Sequence, residues 1–356
     1  MGRDLSWFAS RWERLNGPQR VTGVDLARGL AVVGMLTAHL FAIEVRFDWG
    51  DPASWIAIAE GRSSILFATL AGVSIGLMTG GRTPVAGADL ITARLRIAVR
   101  AAVLWVIGIV LILTGVPVYV ILPAYALLFL LSLPLLSLRA HTLYLVAAGL
   151  GIVMPFVQVW LNGLDFWTTG EGDEIGRLIG WHYPFPVWIA FVVAGLAVAR
   201  SGIRRLAVQL WVLGVGTGLA VCGYGLGELA PGAAPWTSEA HSSGLFEVVG
   251  SGGFALAVLA ACLLVCRTAV VWIVLPLRAV GAMPLTAYAG QLVAWAIIAT
   301  TVLGRPGDLT GFRALEPFWP MTLVLLAACT LWALVIGRGP LEWLLDRSAR
   351  LVTRRR

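Results

Sequence analysis

Asp25, Arg28 and His39 interrupt a stretch that is otherwise apolar. From Arg28 to His39 is eleven residues, which at about 100° each is three turns plus roughly 20°, or about 16 Å along a helix axis. Asp25 lies one turn before Arg28, so the three make a polar stripe on one helical face. An ionisable group within a membrane helix is costly unless paired or solvated, and is a functional candidate for that reason. A histidine, with an ordinary pKa of about 6.5, can take a proton from an attacking hydroxyl or amine. The plainer alternatives are an i,i+3 ion pair for Asp25 and Arg28, with the arginine reaching headgroups, and a neutral interhelical hydrogen bond for His39.

The next apolar run opens with Glu60, Arg62, Ser63 and Ser64, near the depth of His39. Glu60 could orient an imidazole or pair with Arg62, and Arg62 or the serines could donate to a developing oxyanion; serine caps beside a Glu–Arg pair are the alternative. On the other side of the membrane Arg94, Arg96 and Arg100, with Arg82 upstream, lead into the third run. They serve either as anchors or as a site for a polyphosphate, whose oxygens suit arginine's planar fork. The outer loops gather Trp167, Trp181, His182, Tyr183, Trp236 and His241, with Glu247 just inside the eighth run. Such aromatics form an interfacial belt or floor an acceptor pocket. Thr286, Tyr288 and Gln291 add polar groups to the ninth run, where packing hydrogen bonds compete with an acceptor-side role.

The elements that must position these groups follow from composition. Of 356 residues, 59% are hydrophobic and 13% charged, and none of the 26 basic residues is lysine. Soluble domains carry about a quarter charged residues, so an ordinary cytosolic enzyme, a disordered chain and a disulfide scaffold are excluded. Ten apolar runs of crossing length are read at 24–43, 56–78, 97–115, 118–137, 142–161, 184–199, 206–227, 245–266, 281–303 and 319–337. The fold class expected is an all-α polytopic membrane protein, a bundle of about ten (10–11) transmembrane helices. Residues 1–20 form a cytoplasmic interfacial segment with Leu5, Phe8, Trp12 and Leu15 at helical spacing, 21–337 one transmembrane domain, and 338–356 a basic amphipathic tail. Val270 to Leu277 is too short to cross.

Arginine placement orients the bundle. With both termini cytoplasmic, the inner segments carry 20 arginines against five acids, giving +15, and the outer loops four arginines (Arg46, Arg177, Arg305, Arg313) against eleven acids, giving −7. The net +7 is thus a topology signal rather than a nucleic-acid footprint. Arg204 and Arg205 are read as topology alone. The four cysteines lie in apolar runs without metal or disulfide spacing, and no metal is expected. The glycines between 214 and 227, and Gly72 with Gly76, read as close helix packing.

A histidine towards the outside, an arginine on the same face and an arginine cluster inside together suit a site served from both sides. Acyl-CoA cannot cross a bilayer, so an enzyme acylating an outer acceptor must let the thioester arm reach through the protein. The inner arginines would hold the nucleotide phosphates and His39 would act as general base. A proton-coupled transporter or exporter using Asp25, Arg28, His39 and Glu60 as relay groups is the alternative, although no internal repeat supports it.

Asp25, Arg28-Gly29 and His39 also resemble the first helix of the membrane acyltransferase superfamily, which includes heparan-α-glucosaminide N-acetyltransferase, YeiB-type proteins and bacterial glycan O-acetyltransferases. Phe67 to Ser74 (FATLAGVS) is similar to that group's second-helix glycine motif. Leu285-Thr286, Tyr288 and Gln291, with the tail Gly339-Pro340-Leu341-Glu342-Trp343, resemble the YeiB and heparan-type branch. The likeness runs from about Arg20 to Asp346. It implies acetyl transfer from cytoplasmic acetyl-CoA to an extracytoplasmic glycan or lipid by a multi-pass protein of the cell membrane. His39 takes the catalytic place, and Arg28 the donor side. The large extracytoplasmic domain of the lysosomal relative has no counterpart here, so the resemblance carries no acceptor. Its branches differ in where the essential histidine lies, which keeps His182 and His241 as outside candidates. The expected site therefore comprises His39, Asp25 and Glu60 for catalysis, Arg28, Arg62, Arg94, Arg96 and Arg100 for the donor, and Ser63, His182, His241, Glu247 and Tyr288 towards the acceptor. Monomer and homodimer both stay open.

Overall fold

The computed structural model of the chain describes residues 2–43, 47, 48 and 50–353, and all regular structure among them is helical. Arg46 and Arg354 to Arg356, counted in the charge balance above, lie outside the described residues, as do the side chains of Leu5 and Phe8. In chain order the helices are α1 (Gly2–Asn16), α2 (Thr22–Leu40), α3 (Arg62–Met78), α4 (Gly87–Ile112), α5 (Leu122–Ser132), α6 (Ala140–Asn162), α7 (Gly170–Ile179) and α8 (Phe185–Ser201). They continue as α9 (Leu206–Leu229), α10 (Leu245–Val265), α11 (Val270–Ile273), α12 (Leu275–Ala282), α13 (Pro284–Leu303), α14 (Leu309–Ala314), α15 (Phe318–Val335) and α16 (Pro340–Thr353).

Each of the ten apolar runs contains an α-helix, although residues 60–61, residues 118–121 and Met283 interrupt three of them. Among the described residues eight helices are long and apolar enough to cross a membrane, and Leu122–Ser137 and Phe185–Ser201 are shorter apolar ones. The 17 residues of α8 span about 25 Å, below the roughly 30 Å of a bilayer's hydrocarbon core. The third crossing begins earlier than its apolar run, at Gly87. Arg94, Arg96 and Arg100 thus ride on α4 instead of leading into it, because polar residues at a membrane helix end keep the helical hydrogen bonds that hydropathy does not register. The break after the short Val270 segment falls at Met283, just before Pro284 at the start of α13.

Two compact units emerge from the contacts. One comprises Met1–Ser64, Thr114–Val118 and Leu259–Leu344. Its α2 and α12 touch backbone to backbone: a Cβ at Gly29 would collide with the Leu277 carbonyl, and one at Gly281 with that of Asp25. Towards the C-terminal end of α2, Leu36 and Leu40 pack with Trp295, Ala299 and Phe312, and the Trp295 and Phe312 rings stack with centroids 4.6 Å apart. Glu342 caps α13, its carboxylate accepting from Leu285 N (2.7 Å), Thr286 N (3.1 Å) and Thr286 Oγ1 (2.5 Å). A carboxylate at a helix N-terminus satisfies orphan amides and meets the positive end of the helix dipole, which gives the Leu285-Thr286 pair and the Glu342 tail one shared reason.

The other unit comprises Ile65–Leu113, Tyr119–Val258 and Leu345–Arg356. Here α3 and α8 meet through Gly72, which has no room for a Cβ beside the Val192 carbonyl, and through Gly195, which faces that of Thr69. The FATLAGVS segment is therefore a packing seam. Gly216 and Gly223 of α9 similarly face Gly253 and Gly250 of α10, whereas Gly214, Gly218 and Gly225 face open space.

Candidate functional site

Asp25 sits in the first turn of α2 with its side chain 3% exposed. Arg20 donates to both of its oxygens (Nε to Oδ2 at 2.6 Å, Nη2 to Oδ1 at 3.0 Å), and Arg28 Nη1 reaches Oδ1 at 3.2 Å. The expected Asp25–Arg28 pair is present, and Arg20 completes it. Its carboxylate thus holds two guanidiniums by charge-assisted hydrogen bonds.

His39 lies in the last turn of α2, half-buried. Its carbonyl accepts from Arg313 Nε (3.2 Å) and Nη2 (3.0 Å). One guanidinium thus fixes the terminal turn, where helix carbonyls have no partner of their own. Nothing in the sequence marks Arg313, which lies 274 residues further along. Ser63, 8% exposed, lies against Gly34, five residues before His39. Arg62 donates to the Ala57 carbonyl at 3.0 Å and lies 6.0 Å over the Phe47 ring, while Glu60 ends the 3-10 turn Pro52–Ala59. Tyr288, 1% exposed, is one turn into α13 at the end that Glu342 caps. It is about 11 Å along the axis from Trp295, which packs with Leu36 and Leu40 at the His39 end of α2.

In the other unit the three α4 arginines are engaged internally. Arg94 donates to the Leu133 carbonyl (3.1 Å), Arg96 to Thr353 Oγ1 (3.3 Å) and Arg100 to Asp346 (3.4 Å). Nearby, a polar recess of about 630 Å³ is bordered by Arg82, Thr83, Ser137, Arg139 and His141. Among the described residues neither Arg82 nor Arg139 enters an ion pair, and both are exposed. Arg200, which also borders it, is spent on structure, donating to the carbonyls of Gly76, Gly81 and Leu136 and to Thr79 Oγ1.

His182 and His241 come together with ring centroids 5.1 Å apart, and Tyr119 stacks on His182 at 3.8 Å. The Tyr183 hydroxyl donates to the Tyr119 carbonyl at 3.1 Å. Glu247, 4% exposed, holds this arrangement by accepting from His241 N (2.7 Å), Ser243 N (2.6 Å) and Ser242 Oγ (3.1 Å). His241 and Ser243 have φ of 63° and 56°, a left-handed geometry that non-glycine residues keep only when their surroundings impose it. Glu247 is thus a loop fastener. Trp167 and Trp181 stack beside this cluster at 4.3 Å.

Loss of hydration, and secondarily the neighbouring His241, push His182 down to about 4, and loss of hydration also lowers His241. Both rings are neutral at physiological pH. An unfolded histidine, at about 6.5, protonates first, so stability is expected to fall as pH drops from about 6.5 to about 4 and to level off below. A histidine-selective NMR titration should give His182 a midpoint near 4; a midpoint near 6.5 would contradict this account.

The family described as heparan-alpha-glucosaminide N-acetyltransferase, catalytic, matches residues 20–222, and one described as a protein of unknown function (DUF418) matches residues 191–351. No single curated protein matches the chain.

Proposed function

Since the chain belongs to the heparan-alpha-glucosaminide N-acetyltransferase catalytic family, we propose that it moves an acetyl group from cytoplasmic acetyl-CoA to a hydroxyl or amine of an extracytoplasmic acceptor. The observation that carries this reading is the catalytic-family match over residues 20–222, which contains Asp25, Arg28 and His39. The protein is read as a plasma-membrane protein with both termini cytoplasmic, from the inner arginine excess.

His39 is the general base. The acceptor oxygen or nitrogen attacks the thioester carbonyl carbon while His39 takes its proton. The carbon–sulfur bond then breaks, and the imidazolium returns a proton to the departing thiolate. Ser63 would donate to the oxyanion in the same unit, with Arg62, which also bonds the Ala57 carbonyl, as the second donor. Asp25 holds Arg28 and Arg20 as a fixed cationic pair on the donor side.

Sequence spacing directs the donor phosphates to Arg94, Arg96 and Arg100. Asp346 already neutralises Arg100, which favours Arg82 and Arg139 over it, with His141 beside them at the rim of the polar recess. A diphosphate gains most from guanidiniums not already neutralised.

Titration of the purified protein in nanodiscs with acetyl-CoA tests both statements. The wild type is expected to bind, and Arg82→Ala with Arg139→Ala to weaken binding by about tenfold or more, the loss of one or two charge-assisted contacts. Arg100→Ala should have the smaller effect, because Asp346 already pairs with it. Absence of affinity for any acyl-CoA would overturn the enzyme reading.

A further inference from the structure

Tyr288, Gln291 and Trp295 recur along one face of α13. Gln291 is 4% and Trp295 0% exposed, yet both amide atoms of Gln291 and the indole Nε1 of Trp295 lack a hydrogen-bond partner among the described residues. A buried polar group left without a partner is costly and rare in folded proteins. Leucine at 291 and phenylalanine at 295 would serve the packing without that cost, so bundle stability gives no reason for polar groups here.

The height of this face is set by α2, which touches α13 within the same compact unit. At the start of α13, Glu342 caps Leu285 and Thr286 and lies within electrostatic reach of Arg28. Further along, Trp295 packs on Leu36 and Leu40, the first one turn before His39 and the second next to it. The two helices therefore run side by side in the same direction. Gln291 comes about 9 Å after Leu285 and about 6 Å before Trp295. That puts it beside the middle of the span of about 16 Å between Arg28 and His39. Both helices are long and apolar enough to cross a bilayer, and at that depth an amide finds its partners in protein.

We infer that Gln291 and Trp295 bind the amide-bearing arm of the thioester donor on its way to His39. Gln291 Oε1 accepts from an arm N–H and Nε2 donates to an arm carbonyl, while Trp295 Nε1 donates to a carbonyl one turn nearer His39. The arm of coenzyme A is uncharged and linear and carries amides, so it suits a narrow apolar path with a few fixed polar partners. This rests on the acetyl-transfer reading with His39 as base, and not on which arginines hold the phosphates.

The test titrates full-length protein in nanodiscs with acetyl-CoA, with S-acetyl-pantetheine, which has the arm without the nucleotide, and with adenosine bisphosphate, which has phosphates without the arm. Gln291→Leu and Gln291→Met should each weaken binding of both thioesters about tenfold, the equivalent of one hydrogen bond. Affinity for adenosine bisphosphate should stay within about twofold, since Gln291 touches only the arm. Both variants should unfold no earlier than the wild type on heating, because an apolar group replaces unpaired polar atoms. A purely structural glutamine predicts the reverse, earlier unfolding with wild-type affinity for the thioesters, and that result overturns the inference. Equal weakening for adenosine bisphosphate overturns it too, since the effect would then not belong to the arm. A wild type that binds neither thioester refutes the acetyl-transfer reading itself, whereas wild-type thioester affinity in Gln291→Leu refutes the role of Gln291 alone.

Discussion

Replacing His39 by alanine is expected to lower acetyl transfer by about 10²- to 10⁴-fold, the usual contribution of a positioned general base, while acetyl-CoA affinity stays within about twofold. Removal of a group used only in proton transfer affects the chemical step and spares ground-state binding. The variant should fold normally, since His39 is half-buried and its fixed contact with Arg313 is made through the main-chain carbonyl. Arg313→Ala separates position from chemistry. It keeps the imidazole but releases the last turn of α2, so kcat should fall while KM for acetyl-CoA does not change. Wild-type turnover in His39→Ala would move the base to His182 or His241.

The largest structural effect is expected at Arg200. The residue is 3% exposed, and its guanidinium donates to the carbonyls of Gly76 (2.9 Å), Gly81 (2.7 Å) and Leu136 (2.9 Å) and to Thr79 Oγ1 (2.7 Å). It ties the turn after α3 to the Leu136 carbonyl, while Gly76 O also accepts from Gly81 N at 2.9 Å. Arg200→Ala removes the donor from the Gly81 and Leu136 carbonyls together and should cost about 2–4 kcal/mol. Denaturant titration of the detergent-solubilised protein should read this as an earlier unfolding midpoint. Arg200→Lys should recover less than half, because an ammonium cannot present the planar fork that meets four acceptors. An unchanged midpoint in Arg200→Ala would refute this assignment.

Much of the helical layout was legible in the chain because a bilayer imposes a length and a polarity on each crossing, and both are local properties. The polar stripe of α2 was legible for the same reason: Asp25 and Arg28 stand one turn apart and do pair. Helix ends were less legible. Hydropathy placed Arg94 and Arg96 outside their helix, although helical hydrogen bonding continues through them to Gly87. The His182–His241 contact could not be read either, since it joins loops 59 residues apart in the chain.

Arginine shows most clearly where local reading stops. Sequence alone shows a lysine-free chain whose arginines gather in alternate segments between its apolar runs, which is the basis of the expected orientation. It could not tell one inner arginine from another. Arg200 and Arg278 are buried fasteners, the latter 0% exposed and bonded to Leu15 O, Asn16 Oδ1 and Val271 O. Arg20 and Arg28 clasp Asp25, and Arg82 and Arg139 border an open recess. Only the tertiary structure decided among these fates. A guanidinium near a helix end faces either water or the unpaired carbonyls of another helix, and the partner that settles the choice lies 124 residues away for Arg200 and 263 for Arg278.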